Sequence, residues 1–313
     1  MDVSEDARPS VLRIRTGRAV RWVAWTPYLF LAPAILYLIL ILLIPMVEGV
    51  LTSLYSGQQL APLRGAFAGL ANYARLIGDP NFWLSLQVTL VYTVACVGVT
   101  LIIALGVALL INTDFHGRRI ARALIMLPWA TPTVAAVLIW SWMFNYEYGV
   151  LNAGLRALGI SRSGVSWLFS PHVALIAVLM VTIWKIFPFS AVVLLTALQA
   201  VDRNLYEAAA LDGASRVGLF RYVTLPGIRP TLALLVLLVT IWSFQRFTII
   251  WLLTQGGPIG STQTIVIMVY NNAFRYIDTG YGAAIGVVGL IMSLFVALMY
   301  FVVERRTSLE GAQ

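Results

Sequence analysis

The sequence of 313 residues has few of the residues that mark soluble, disulfide-bonded or metal-binding proteins. Its single cysteine, Cys96, excludes a disulfide within the chain, and the two histidines, His116 and His172, are isolated in different predicted loops, so we expect no metal site. The one lysine, Lys185, is followed by isoleucine, whereas a phosphate-binding P-loop requires Gly-Lys-Ser or Gly-Lys-Thr. Any use of ATP must therefore fall to another polypeptide.

Charge is also scarce. Charged residues make up 11% of the chain, against about 25% in soluble domains, while 60% of the residues are hydrophobic and the mean hydropathy is +0.87. This composition predicts a membrane protein. The net charge of +8 comes from arginines that flank apolar runs, not from a basic patch with interleaved aromatics, so we expect no nucleic-acid partner.

Long apolar runs predict an all-α, polytopic fold. A spanning helix needs about 20 apolar residues, and six runs qualify. Prolines within or near these runs are tolerated where neighbouring helices or water satisfy the freed backbone. The predicted crossings are 28–47, 84–111, 120–144, 172–198, 229–254 and 282–303.

The basic residues predict the orientation. Positive charges favour the cytoplasmic side, and with both termini inside, 14 of the 21 basic residues lie there, against five outside and two within the runs. We therefore predict an arginine-rich cytoplasmic tail at 1–27, a transmembrane domain at 28–303 and a short cytoplasmic tail at 304–313. The outside segments 48–83, 145–171 and 255–281 are predicted to form short interfacial helices, either as a lid or as simple connectors.

A polar interruption lies on the predicted inside, between the fourth and fifth crossings. It contains Glu207-Ala208-Ala209-Ala210-Leu211-Asp212-Gly213, followed by Val223-Thr224-Leu225-Pro226. Asn204 can cap a first helix and Gly213 can end it; a second helix is predicted at about 215–222, and Leu225-Pro226 would close the unit. Small alanines let another surface approach closely. The alternative is a helix pair that lies on the lipid surface.

This loop resembles the cytoplasmic coupling loop of importer-type ABC transporter permeases. The wider stretch from Ile183 to Pro226 resembles carbohydrate-importing members, relatives of the first maltose-transporter permease subunit. Gly69-Leu70-Ala71-Asn72-Tyr73 and Leu253-Thr254-Gln255-Gly256-Gly257-Pro258 share that resemblance. Val223 departs from the isoleucine more usual in the family. The residues implied to couple to the ATPase are Glu207, Ala208, Ala209, Asp212, Gly213, Leu225 and Pro226.

The resemblance implies a type I ABC importer permease fold in the bacterial plasma membrane, with transport by alternating access. The implied partners are a second homologous permease, two nucleotide-binding subunits that use ATP and Mg²⁺, and a periplasmic or lipid-anchored solute-binding protein that delivers a sugar. This chain itself would be a transport subunit, not an enzyme, and would bind no cofactor.

Two cations lie at membrane depth, where each costs about 2.5–3.5 kcal/mol on insertion scales. Lys185 lies near the middle of the fourth crossing, where Pro188 is expected to open the backbone. Arg246 is expected to share a helix face with Trp242 and Gln245. We predict a polar and aromatic solute path formed by Thr182, Trp184, Lys185, Phe189, Trp242, Ser243, Gln245, Arg246 and Phe247.

Positions that match the solute site of the maltose relative are Thr182, Trp184, Lys185, Trp242, Ser243 and Arg246, although the relative is richer in asparagine. The alternative is that Lys185 and Arg246 are structural and pair with backbone carbonyls or with a partner subunit. At the level of function, a glycerol-phosphate importer of the same family and a stand-alone secondary transporter remain open. An intramembrane enzyme would need a carboxylate, metal or nucleophile cluster at depth, and the sequence shows none.

Overall fold

The structure, a computed structural model that describes residues 19–56 and 65–310, is almost entirely helical, and within those ranges the only strands are two short ones. The all-α prediction is therefore confirmed. In chain order the elements are α1 (Ala19–Leu38), a π-helical turn (Ile39–Leu43), α2 (Ile44–Thr52), β1 (Tyr55–Ser56), β2 (Ala66–Phe67), α3 (Ala71–Gly78), α4 (Pro80–Asn112), α5 (Arg118–Ile125), α6 (Leu127–Ala130), α7 (Thr133–Met143), α8 (Val150–Ala157), α9 (Ala174–Ala200), α10 (Arg203–Leu211), α11 (Arg216–Leu219), a second π-helical turn (Phe220–Thr224), α12 (Leu225–Phe244), α13 (Thr248–Thr254), α14 (Ile265–Tyr270), a third π-helical turn (Asn271–Arg275) and α15 (Thr279–Glu310).

The chain divides into two compact units, residues 1–49 and 50–313. In the first unit the helix begins at Ala19, inside the predicted tail 1–27, and residues 1–18 of that tail lie outside the described residues. At the other end of the chain α15 continues to Glu310, through most of the predicted tail 304–313.

All six predicted crossings have a helical counterpart. Five helical spans in the described ranges are long and apolar enough to cross a membrane, and a sixth is formed if one strongly bent helix pair is taken as a single span. The five are Pro27–Thr52, Pro80–Asn112, Ala174–Ala200, Arg216–Phe244 and Thr279–Val302, and the bent pair is Arg118–Ala130 with Thr133–Met143.

The third predicted crossing, 120–144, is broken and not continuous. Its two parts meet at an angle of 92°. Thr131 is extended, with ψ of 132°, and Pro132 follows it with ψ of 135°. A proline has no N–H to donate and disfavours the helical conformation of the residue before it, so the Thr131-Pro132 pair ends α6 and restarts the chain as α7.

The fifth predicted crossing, 229–254, has the wrong bounds at both ends. The helix begins earlier, because α11, the second π-helical turn and α12 run on continuously from Arg216, so Leu225-Pro226 lies within the span and does not close the loop before it. Pro226 follows the second π-helical turn directly, so it lies where the hydrogen-bond pattern of the continuous helix is already irregular. The helix also ends earlier, at Phe244, and α13 is a separate helix.

The core of the second unit is formed by α4, α9 and α12, and small residues allow these helices to approach closely. Ala104 and Ala108 of α4 pack in one buried cluster with Ala191 of α9 and Ile228 of α12. A second cluster contains Tyr92 of α4 and Val178 of α9 together with residues of α7, α13 and α14. The broken helices are therefore packed onto the same scaffold as the continuous ones.

The predicted outside segments contain short helices, as expected. In segment 145–171 the buried Asn152 is the centre of the hydrogen bonding: its Nδ2 donates to the carbonyls of Tyr146 and Val165, and its Oδ1 accepts from Val165 N and Trp167 Nε1. This network holds the loop around α8 in one conformation.

In segment 255–281 the Thr-Gln-Gly-Gly-Pro turn is positioned by Thr262, whose Oγ1 donates to the carbonyl of Gly257 at 2.8 Å and lies 2.7 Å from Thr254 Oγ1. Gln255 and Gly256 have left-handed backbones, with φ of 52° and 89°. This part of the family resemblance therefore corresponds to a tightly bonded turn.

Candidate functional site

A cavity of about 410 Å³ lies where the two broken helices face α9. Residues on both sides of the α6–α7 break and of the α12–α13 break contribute to its wall. Of these two breaks, the one between α6 and α7 interrupts a candidate membrane span, and irregular backbone of that kind is tolerated only where it lines a cavity or is buried in protein. The lining residues are Trp129, Thr133, Lys185, Ile186, Trp242, Gln245, Arg246, Phe247 and Thr248.

Lys185 joins α9 to the break between α6 and α7. Its Nζ donates to the carbonyl of Thr131 at 2.6 Å and, at 3.4 Å, to that of Trp129. These are carbonyls at the C-terminal end of a helix, which have no partner within the helix and which favour a cation. Lys185 therefore pairs with backbone carbonyls, which was the alternative to a role in the solute path. Its side chain also lines the cavity.

The opened backbone beside Lys185 was expected at Pro188, and this expectation is wrong. Helix α9 runs from Ala174 to Ala200 through the buried Pro188 without a break. The opened backbone belongs to another helix, at Thr131-Pro132. A proline in a helix predicts the loss of one backbone hydrogen bond, but neighbouring helices can hold such a helix straight.

Arg246 lies at the second break. Helix α12 ends at Phe244, the amide of Arg246 donates to the carbonyl of Ser243, and α13 begins at Thr248. The helical spacing that was expected to align Trp242, Gln245 and Arg246 holds as far as Gln245, whose amide donates to the carbonyl of Ile241, and all three residues line the cavity. The Nε of Arg246 is buried and has no hydrogen-bond partner.

Aromatic rings form one wall of the cavity. Phe189 of α9 lies behind the wall, with its ring centroid 5.9 Å from that of Trp129 in a stacked arrangement and 5.3 Å from that of Trp242. Ring contacts at these distances stabilise the two tryptophans beyond their burial. Trp129 and Trp242 are therefore held in place within the cavity lining.

Five residues of the predicted path line the cavity, namely Lys185, Trp242, Gln245, Arg246 and Phe247. The other four lie elsewhere. Thr182 is fully buried, with its hydroxyl 2.9 Å from that of Tyr92; Ser243 is buried and donates to the carbonyl of Val239; Trp184 packs against Trp140; and Phe189 supports the tryptophans. A role of any of the nine in solute passage stays a prediction.

Four residues line the cavity that were not predicted from the sequence, namely Trp129, Thr133, Ile186 and Thr248. Two of them, Trp129 and Thr133, flank the Thr131-Pro132 break. Pro128 and Pro132 in one apolar run are the signal that could have indicated this break and directed attention to the residues beside it. For Ile186 and Thr248 the sequence carries no comparable signal.

The coupling loop, residues 204–226, follows α9 and is largely exposed. Helix α10 ends at Leu211, and Gly213 adopts a left-handed backbone with φ of 80°. The amides of Gly213 and Ala214 donate to the carbonyls of Ala210 and Ala209, so the chain closes the helix end itself, as predicted for Gly213. The predicted cap Asn204 is wrong: Asp202 is the N-cap, and its side chain accepts from Asn204 N at 2.9 Å.

Helix α10 of the loop contacts the start of the fifth span through a side-chain hydrogen bond. The hydroxyl of Tyr206 in α10 lies 3.0 Å from that of Thr224, which is buried. Glu207 and Asp212 are exposed, and so are Leu211 and Val217, whose exposed fractions are 90% and 74%. The loop therefore offers a mixed acidic and apolar surface on a backbone that its own hydrogen bonds hold in place.

Comparison with known proteins identifies the family to which the chain belongs. Residues 98–309 match the family described as "Binding-protein-dependent transport system inner membrane component". The chain is 36% identical over 303 residues to the sulfoquinovosyl glycerol transport system permease SmoG of Agrobacterium fabrum, covering 95% of this chain and 98% of the relative. It is 35% identical over 278 residues to the trehalose/maltose transport system permease MalF of Thermococcus litoralis. That match covers 89% of this chain and 93% of the relative.

Solved structures agree on the fold. A bacterial ABC transporter involved in the import of the acidic polysaccharide alginate contains a chain of 23% identity that superposes with a TM-score of 0.77, covering 91% of this chain and 96% of the other. A chain of a bacterial alginate ABC transporter in complex with an alginate-bound periplasmic protein superposes with a TM-score of 0.78. The match covers 93% of this chain and 98% of the other. The chain is therefore a membrane protein with the type I importer permease fold, and it belongs to the family of binding-protein-dependent transport system inner membrane components.

Proposed function

We propose that this chain is one permease half of an ATP-driven importer that carries a saccharide inward by alternating access. The observation that carries the proposal is the cavity at the two helix breaks, with tryptophans in its wall and hydrogen-bond donors beside them. Sugars present hydroxyl groups and flat C–H faces, and both kinds of surface have a match there. Relatives with more than a third of their residues identical include permeases named for sulfoquinovosyl glycerol and for trehalose or maltose.

The coupling loop is the proposed contact with a separate nucleotide-binding subunit that hydrolyses ATP with Mg²⁺. The loop is exposed and closed by its own hydrogen bonds, and the continuous helix from Arg216 to Phe244 leads from it to the break at Gln245–Phe247. A displacement of the loop by the ATPase can therefore act on one wall of the cavity. The positive-inside bias supports cytoplasmic termini and a cytoplasmic loop in a bacterial plasma membrane.

A second homologous permease and a solute-binding protein complete the proposed assembly. The family name itself refers to a binding protein, and one structural neighbour was solved with an oligosaccharide-bound periplasmic protein. A glycerol-phosphate importer is the second candidate, because Lys185 and Arg246 both line the cavity and a phosphate group needs cations.

The test is a pull-down of the tagged chain from native membranes, followed by reconstitution of the recovered complex into liposomes. We expect a P-loop ATPase, a second permease and a solute-binding protein to co-purify, and uptake to require ATP on the side of the coupling loop. Transport by this chain alone, without ATP, would overturn the proposal in favour of a secondary transporter.

A further inference from the structure

The cavity has an unbalanced charge. Lys185 and Arg246 both belong to its lining, and no aspartate or glutamate does. In the described ranges the ion pairs are Arg75 with Asp278 and Arg118 with Asp114, so neither cavity cation has a carboxylate partner there. Cations at membrane depth are expensive and are usually paired. The cavity thus carries a local positive charge that this part of the chain does not neutralise.

The hydrogen bonds of the two cations leave donors free. The Nζ of Lys185 bonds two carbonyls, one of them at 3.4 Å, and carbonyl dipoles orient an ammonium without cancelling its charge. The Nε of Arg246 is buried and unpartnered. A buried donor on a charged group is costly unless an acceptor reaches it. An acid group in the cavity would supply the negative charge and an acceptor for the third donor of Lys185.

The aromatic wall adds a second requirement on the ligand. Trp129 and Trp242 contribute ring surface to the same lining as the two cations, and Phe189 contacts both rings. A small inorganic anion would leave these surfaces without a contact, whereas the C–H face of a sugar ring can cover them. The lining therefore fits a ligand that has a ring face and an acid group together.

We propose that the transported solute is an anionic saccharide, whose carboxylate, sulfonate or phosphate group is held by Lys185 and Arg246 while its ring packs on Trp129 and Trp242. This inference rests on the proposed function and narrows it. A neutral sugar would leave two adjacent cations uncompensated, and its hydroxyl groups are weaker acceptors than an anionic oxygen. The two helix breaks then position one cationic group each around the acid.

The test is uptake into liposomes that contain the whole complex with its binding protein and internal ATP. The probes are radiolabelled sets matched except at C6: glucose, glucuronate, glucose 6-phosphate and 6-deoxy-6-sulfoglucose, and the disaccharides cellobiose and cellobiouronate. The quantity compared is the ratio of acidic to neutral uptake within each set. This ratio does not depend on how much of a variant assembles, so a poorly folding variant remains informative.

We expect the wild-type complex to prefer at least one acidic probe by about tenfold or more over its neutral counterpart. Arg246→Gln and Lys185→Met should bring the ratio close to one, whereas the charge-conserving Arg246→Lys and Lys185→Arg should retain most of it. Arg162→Gln removes an exposed positive charge from an outer loop and serves as the matched control, with an unchanged ratio. The acidic probe that is preferred identifies the acid group.

Two results would overturn the inference. Neutral probes carried as well as acidic ones by the wild type would mean that a partner subunit neutralises the cations. A preference for acidic probes that survives Arg246→Gln and Lys185→Met would place the selection elsewhere, in the binding protein or the partner. If no saccharide is taken up at all with ATP present, the proposed function fails as well, so the two failures are distinguishable.

Discussion

The coupling loop and the cavity are both places where polar residues interrupt apolar helices, but they are held together in different ways. In the loop each helix end is closed by a neighbour in sequence: Asp202 caps α10, Gly213 ends it and Ser215 caps α11. At the cavity the break between α6 and α7 is instead closed from a distance, since Lys185 donates to the carbonyl of Thr131, 54 residues away. Helix ends that are capped by neighbouring residues can be predicted from the sequence. A helix end that is bonded by a residue far along the chain cannot be predicted in this way, and neither can the site beside it.

The coupling loop and the cavity also differ in the side chains that they expose. The loop exposes acidic and apolar side chains to a partner, with Leu211 90% exposed. The cavity instead has two half-buried cations in its lining, and none of the described residues that line it is a carboxylate. A substitution in the loop should therefore affect the proposed contact with an ATPase and leave the fold intact, whereas a substitution near the cavity should affect stability or solute preference. The following predictions test this contrast.

The largest effect is expected from Glu207→Lys in the coupling loop. Glu207 is exposed, so charge reversal should leave the chain inserted and assembled, but it replaces attraction by repulsion at the proposed contact with the ATPase. We expect ATP-driven uptake by the reconstituted complex to fall by more than about tenfold. Glu147→Lys makes the same charge change on an outer loop and should transport normally. Normal uptake by Glu207→Lys would contradict the coupling role.

Gly227→Ala should destabilise the start of α12. An added Cβ would lie 2.8 Å from Cγ2 and 3.3 Å from Cγ1 of Val201, a β-branched side chain with little rotamer freedom. Such overpacking typically costs about 1–3 kcal/mol, which should appear as a lower Tm of the purified complex. Gly98→Ala, on α4, meets no atom within 4 Å and is the control. Val201→Ala should rescue Gly227→Ala; if it does not, the close approach is not the cause.

Thr182→Val separates a packing role from a solute role. Loss of the hydroxyl leaves the buried Tyr92 hydroxyl without this partner, which should lower the free energy of unfolding by about 1–3 kcal/mol. Since Thr182 does not line the cavity, the ratio of uptake between solutes should not change. Adding Tyr92→Phe should recover part of the lost stability. A changed solute ratio with unchanged stability would restore Thr182 to the solute path.

The smallest effect is expected at the cap of α10. Asp202→Ala removes the side-chain bond to Asn204 N and should cost about 1 kcal/mol or less at this exposed site, whereas Asn204→Ala should cost little. Hydrogen exchange of the amides of residues 203–206 is the measurement, and faster exchange is expected only in Asp202→Ala. Equal effects from the two variants would contradict the cap assignment.

Several features could be read directly from the amino-acid sequence. Apolar runs of about 20 residues can be stable in a membrane only as helices, so the helical class and the number of crossings followed from composition. The end of α10 at Gly213 and the short helices of the outside segments followed from local signals, because a left-handed residue or a helix cap acts on its own neighbours.

Other features required the tertiary structure. Hydrophobicity indicates membrane depth but not the continuity of the backbone, so the 92° bend of the third crossing and the end of α12 at Phe244 were not predicted. Of nine residues predicted for the solute path, five line the cavity, because which face of α9 meets the breaks depends on how α6, α7, α12 and α13 pack against it.

The chain's own sequence thus determined where helices cross the membrane and where a polar loop leaves it, since both depend on residues close together in the chain. Packing alone decided which polar groups meet. Lys185 reaches the carbonyl of Thr131 and Thr182 reaches the hydroxyl of Tyr92 across 54 and 90 residues. Hydrogen bonds act over about 3 Å, and only the folded chain brings such distant residues within that range.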